Sequence, residues 1–156
     1  MGSGKTYLGR QLADLLKRPF TDLDQLIEQQ EQCSIAELFA REGEQAFRQK
    51  EQAYLKKIPL RHQIIATGGG TPCFFDNLSW MNEHGLTVYL KVSLDILIKR
   101  LKAQTRHRPL LQGRTGLDLH RHICHLLQER EPFYQQARLI VEADQLTAEQ
   151  LAQLLS

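Results

Sequence analysis

The sequence predicts an α/β domain, a parallel sheet with helices on both faces. Three observations lead there. Short apolar runs alternate with amphipathic stretches, a glycine-lysine-threonine loop opens the chain, and a second glycine turn, Gly68-Gly69-Gly70, follows an apolar run. With 156 residues, 42% of them hydrophobic and 24% charged, the chain is read as one globular domain, 1–156, with a sizeable core. No internal repeat, low-complexity tract or linker divides it.

A net charge of +2 gives no case for a nucleic-acid or membrane partner, so any anion must be met by placed arginines. No apolar run approaches a membrane span, and the first residues lack the apolar core of a signal peptide. Cys33, Cys73 and Cys124 are odd in number and show no C-x-x-C spacing, which reads as free thiols in a reducing cytoplasm. His120, His122, Cys124 and His125 cluster, but on a helix Cys124 points away from the face that His122 and His125 share. We read them as a solvated face rather than a metal site.

Gly2-Ser3-Gly4-Lys5-Thr6 is the downstream part of a phosphate-binding P-loop. Glycines there let the backbone approach an anion and turn successive N–H groups inward, and a helix starting behind them adds its positive end. That helix carries Leu8, Leu12, Leu15 and Leu16 at helical spacing and ends before Pro19. Pro19-Phe20-Thr21 is extended and delivers Asp22 and Asp24 to a strand end. Gln25 to Glu31 reads as a short polar helix. Ser34 and Glu37 form a capping box for a helix reaching about Lys57, with Gly43 marking a bend.

Gln63 to Thr67 is a short strand leading into the triple glycine, and a helix from about Asp76 ends at Gly85. Leu86 to Val92 is the clearest strand, followed by a helix over Leu94 to Leu101. From Ala103 to Gly116 the chain becomes basic and glycine-containing, which fits either a lid or a solvated loop. Asp118 to about Gln136 is helical with an interruption at Pro132. Arg138 to Glu142 is the last strand, and Thr147 caps a closing helix.

In parallel α/β sheets ligands sit beyond the carboxyl ends of the strands. The P-loop, Asp22 with Asp24, and Gly68-Gly69-Gly70 all fall there. A lysine in the loop reaches outer phosphates and the Thr6 hydroxyl can serve Mg²⁺. Of two carboxylates beside such a loop, one can hold hydrated Mg²⁺ or orient an acceptor hydroxyl, and the other can accept hydrogen bonds from a polyol. Arg48 and Arg130 taken together could grip one carboxylate by bidentate bonds.

The chain resembles the shikimate kinases along nearly its whole length. The resemblance is carried by Gly2-Ser3-Gly4-Lys5-Thr6 with Gly9-Arg10, Asp22-x-Asp24, Ser34-Ile35-Ala36-Glu37-Leu38-Phe39, Glu42-Gly43-Glu44 and Phe47-Arg48. It continues through Thr67-Gly68-Gly69-Gly70, Arg108-Pro109-Leu110-Leu111 and Arg130-x-Pro132-x-Tyr134. It implies a P-loop kinase of the nucleoside-monophosphate-kinase type, a three-layer sandwich around a five-stranded parallel sheet. It implies Mg²⁺-dependent transfer of the ATP γ-phosphoryl group to the 3-hydroxyl of shikimate, a step of aromatic amino-acid biosynthesis.

Carried over by position, Lys5 holds the β- and γ-phosphates within a nucleotide set of Gly2, Ser3, Gly4, Lys5, Thr6 and Tyr7. Thr6 serves the Mg²⁺ and Asp22 its outer shell. Asp24 binds ring hydroxyls, Arg48 and Arg130 the carboxylate, and Gly69 and Gly70 the substrate through backbone. Arg108 swings in with a lid over about 103–116 to stabilise charge on the transferring phosphoryl, and Arg100 stacks on adenine. Residues 25–57 form the substrate-binding helical region, and a cytoplasmic monomer is expected.

The family pattern has one more strand and one more glycine before Met1, so the natural chain is expected to start upstream, with Met1 inside the loop. Two other readings stay open at this point. One is another small-molecule P-loop kinase, such as a gluconate kinase. The other is an inactive binding protein built on the same fold.

Overall fold

The computed structural model describes residues 2–102 and 113–155. The lid expected over 103–116 falls mostly outside them, as does Arg108. Helix α1 spans Lys5–Leu16 and starts straight from Gly4, whose φ of 84° is left-handed. Strand β1 (Phe20–Asp22) runs into α2 (Leu23–Glu31), and α3 (Ile35–Lys57) follows. Ser34 and Glu37 close the expected capping box on α3, and Gly43 (φ 82°, ψ 171°) bends it, a conformation that glycine adopts without a Cβ clash.

Next come β2 (Ile64–Ala66), a 3-10 turn over Thr71–Cys73, α4 (Asn77–His84), β3 (Val88–Lys91), α5 (Leu94–Lys102), α6 (Gly116–Tyr134), β4 (Leu139–Glu142) and α7 (Ala148–Leu154). The expected interruption at Pro132 does not occur: α6 runs through it to Tyr134. Pro132 sits in the last turn, where a missing N–H removes little of the remaining ladder. Leu15, expected on the buried face of α1, is 47% exposed.

Among the described residues the strands form two parallel pairs rather than one sheet. β1 pairs with β2, Thr21 opposite Ile65, and β3 pairs with β4, Tyr89 opposite Ile140. A cavity of about 920 Å³, mainly apolar, lies between β2 and β3. Ile64, Ala66, Val88 and Leu90 line it, with Leu8, Leu12 and Leu101 from the helices.

Helix α1 ties the pairs together. Leu8 and Leu12 pack in one cluster with Ile64 of β2, Val88 and Leu90 of β3, Val141 of β4 and Leu151 of α7. Ile65, one residue on from Ile64, faces the other way and joins Leu23, Ile27, Leu38, Phe47 and Leu55 of α2 and α3. That two-residue alternation puts helices on both faces of the strand. Leu23 and Ile27 are wholly buried, and each such side chain contributes roughly 1.5–3 kcal/mol. Gly9 lets α1 sit close on β1, since a Cβ there would fall 2.8 Å from the Phe20 ring.

Candidate active site

The phosphate loop and the end of β1 meet through one hydrogen bond: the Thr6 hydroxyl donates to Asp22 Oδ2 at 2.6 Å. Asp22 caps α2, its Oδ1 accepting from the backbone N–H of Asp24 at 3.0 Å and of Gln25 at 3.3 Å. A hydroxyl and a carboxylate oxygen thus stand together beside left-handed Gly2 and Gly4 at the start of α1. Hard oxygen donors of this kind suit Mg²⁺, which takes only one or two protein ligands and completes its shell with phosphate and water. Among the described residues no three His, Cys, Asp or Glu side chains gather into a metal cage.

Gly68-Gly69-Gly70 follows β2 and forms the centre of a second cluster. A Cβ on Gly68 would lie 2.7 Å from Glu51 Oε1, 2.9 Å from Thr71 Oγ1 and 3.0 Å from Asp24 Oδ1. A Cβ on Gly70 would lie 2.6 Å from Arg48 Nη2. Glycine is required here by close approach of side chains rather than by strain, as Gly70 has φ −89°. Asp24 and Arg48, far apart in sequence, therefore reach the same three residues.

Arg48 is held firmly. Nη1 donates to Glu51 Oε2 at 2.9 Å, Nε and Nη2 donate to Glu44 Oε1 at 3.3 and 3.1 Å, and the guanidinium lies 4.4 Å from the centre of the Phe74 ring. Glu51 is wholly buried and also accepts from the Thr71 hydroxyl at 2.6 Å. Burial pushes its carboxyl above the ordinary range, against the pull of Arg48 and Thr71. Asn77, equally buried, donates to the Thr71 carbonyl at 2.9 Å and steadies the turn.

Arg130 enters from α6, nearly buried. It lines the same cavity as Ser3, Lys5, Gly68, Gly69 and Tyr134. Burial pushes the Cys73 thiol up, while the charges of Arg130 and Arg48 both pull it down. The Tyr134 hydroxyl donates to the Gly69 carbonyl at 2.5 Å.

Two predicted nucleotide contacts stand at the edge. The Tyr7 ring is exposed, and its hydroxyl accepts from Gln11 at 3.0 Å. Arg100 donates to the Ser3 carbonyl at 3.1 Å, so it lies against the loop backbone. In α6 the Cys124 sulfur lies 3.8 Å from His120 Nδ1, and His125 pairs instead with Glu129 at 3.2 Å.

The family model for shikimate kinase matches residues 1–156. The shikimate kinase of Parabacteroides distasonis is 43% identical over 150 residues, covering 96% of this chain and 87% of that protein. This chain belongs to the shikimate kinase family. The crystal structure of shikimate kinase from Bacteroides thetaiotaomicron superposes with a TM-score of 0.93 at 41% identity, covering 99% of this chain and 93% of the other. Shikimate kinase from Acinetobacter baumannii, solved in complex with shikimate, gives 0.89 at 35%, covering 99% and 86%.

Shikimate kinases are P-loop kinases that use ATP with Mg²⁺, and the α/β class read from the sequence is the class of the family. Sequence reasoning missed Glu51 and Thr71. Glu51 stands three residues after Arg48 on one helix face, the spacing of an intrahelical ion pair, and that signal was available.

Proposed function

We propose that this chain transfers the γ-phosphoryl group of ATP to the 3-hydroxyl of shikimate, forming shikimate 3-phosphate. The meeting at one glycine turn of Asp24, Arg48 and, through the Tyr134 bond to Gly69, the helix that carries Arg130 is the observation that carries this reading. Family membership supports it.

The loop N–H groups of Gly2, Ser3 and Gly4 and the start of α1 receive the phosphates, with Lys5 neutralising the outer two. Thr6 and Asp22 hold Mg²⁺, which when bound supplies charge neutralisation on the phosphate oxygens. Asp24 accepts hydrogen bonds from ring hydroxyls. Arg48, held by buried Glu51, and Arg130 grip the carboxylate as cations, and Gly69 and Gly70 offer bare backbone. Phosphoryl transfer asks for positioning and charge rather than covalent help, so a rigid acid clamp beside an anchored triphosphate is a sufficient apparatus. Arg108, Arg100 and Tyr7 complete the nucleotide side of the reading, with 103–116 as the lid and 25–57 as the substrate-binding region. The reading includes a cytoplasmic monomer engaging neither nucleic acid nor membrane. The even charge balance supports its last clause, and among the described residues no helix is long and apolar enough to cross a membrane.

The test is a coupled assay with ATP, Mg²⁺ and a panel of hydroxy acids. Shikimate is the fastest acceptor; a gluconate rate above the shikimate rate overturns the assignment. Thermal shift with ADP and with shikimate separates an active site from a dead one, since each specific ligand stabilises the folded protein. Sedimentation reads the oligomeric state.

A further inference from the structure

The three carbonyls of the glycine turn are not used alike. Those of Gly68 and Gly70 accept from the N–H groups of Thr71 at 3.2 Å and Cys73 at 2.9 Å, which builds the 3-10 turn. The Gly69 carbonyl instead accepts from the Tyr134 hydroxyl, 65 residues away at the end of α6. A peptide unit is planar and trans, so its C=O and the following N–H point in opposite directions. Whatever holds the Gly69 carbonyl therefore aims the Gly70 N–H. Among the described residues that N–H has no protein acceptor. Because both flanking residues are glycine, the unit meets no Cβ barrier to flipping over.

Tyr134 is itself well fixed. Its ring packs on Tyr89 at 5.0 Å between centroids, and the Tyr89 hydroxyl donates to Glu131 at 2.7 Å. Burial pushes the Tyr134 phenol up to about 12, against the pull of Arg130 beside it, so the group remains a hydrogen-bond donor across the neutral range. One hydroxyl thus joins the helix that carries Arg130 to the turn that faces Asp24 and Arg48.

We infer that Tyr134 is a positioning residue: its bond to the Gly69 carbonyl locks the Gly69–Gly70 peptide with the Gly70 N–H presented to the acid substrate. This rests on the shikimate reading above, and the lock itself is measurable without any substrate.

The experiment compares Tyr134→Phe, which removes one oxygen and keeps the ring stack, with Tyr89→Phe, which breaks the Glu131 bond and leaves Gly69 untouched. In Tyr134→Phe the shikimate KM rises about tenfold, the loss of one neutral hydrogen bond together with a freed peptide. Its kcat and ATP KM stay within error of the parent protein, its melting temperature falls by no more than a few degrees, and Tyr89→Phe leaves the shikimate KM unchanged. In the substrate-free protein the Gly70 amide resonance shifts or doubles in Tyr134→Phe and not in Tyr89→Phe. An unchanged Gly70 amide overturns the lock whatever the substrate is. A moved amide with an unchanged shikimate KM in a protein that phosphorylates shikimate overturns the positioning role. Equal rises in the KM of shikimate and of ATP overturn it too, because they mark a general structural loss.

Discussion

Glu51 Oε2 lies 2.9 Å from Arg48 Nη1, with the Glu51 side chain wholly buried and that of Arg48 5% exposed. A buried pair of this kind stabilises little as a pair, but either member left alone is costly. Arg48→Ala is therefore expected to lower stability by about 3–5 kcal/mol. Adding Glu51→Gln to Arg48→Ala recovers part of that loss, because no carboxylate is then left unpaired. Urea unfolding of the two variants reads both numbers. A double variant less stable than Arg48→Ala would contradict the pairing.

Gly70→Ala tests the clamp without touching a charged residue. The new Cβ falls 2.6 Å from Arg48 Nη2, and φ of −89° makes alanine acceptable to the backbone. The guanidinium end must move while the fold holds. Charge-assisted hydrogen bonds are worth roughly 1.5–3 kcal/mol, so the shikimate KM rises by about tenfold or more, with the ATP KM unchanged. An unaltered shikimate KM would place the carboxylate elsewhere.

Lys5→Ala acts on the other substrate. Lys5 begins α1 at the P-loop, and its charge is of most use where negative charge accumulates on the outer phosphates. Turnover is expected to fall on the order of a hundredfold or more while shikimate binding persists. Steady-state kinetics with both substrates varied separates the two effects. A variant with full turnover would remove Lys5 from the reaction.

Glu51 also sets a pH dependence. Burial raises its folded pKa above the ordinary 4.5, so the native state binds this proton more tightly than the unfolded chain does. The stability it contributes is complete below the unfolded value and declines as pH rises through the folded one. The difference in urea midpoint between the parent protein and Glu51→Gln should therefore shrink as pH increases above 4.5. A difference that grows with pH would reverse the sign assigned to Glu51.

The sequence by itself determined the α/β class, the order of the elements, the Ser34–Glu37 capping box and the bend at Gly43. Each depends on residues a few positions apart. It also singled out Asp22, Asp24, Arg48, the triple glycine and Arg130, through the order and spacing of the motifs that resemble the shikimate kinases. Only the tertiary structure decided that Asp24, Glu51 and Thr71 crowd one glycine, that Arg48 crowds another, and that Tyr134 reaches back to Gly69. Local propensity acts within a turn or two of helix. Which strand edges meet, and which side chains share a buried space, follows from packing between segments tens of residues apart.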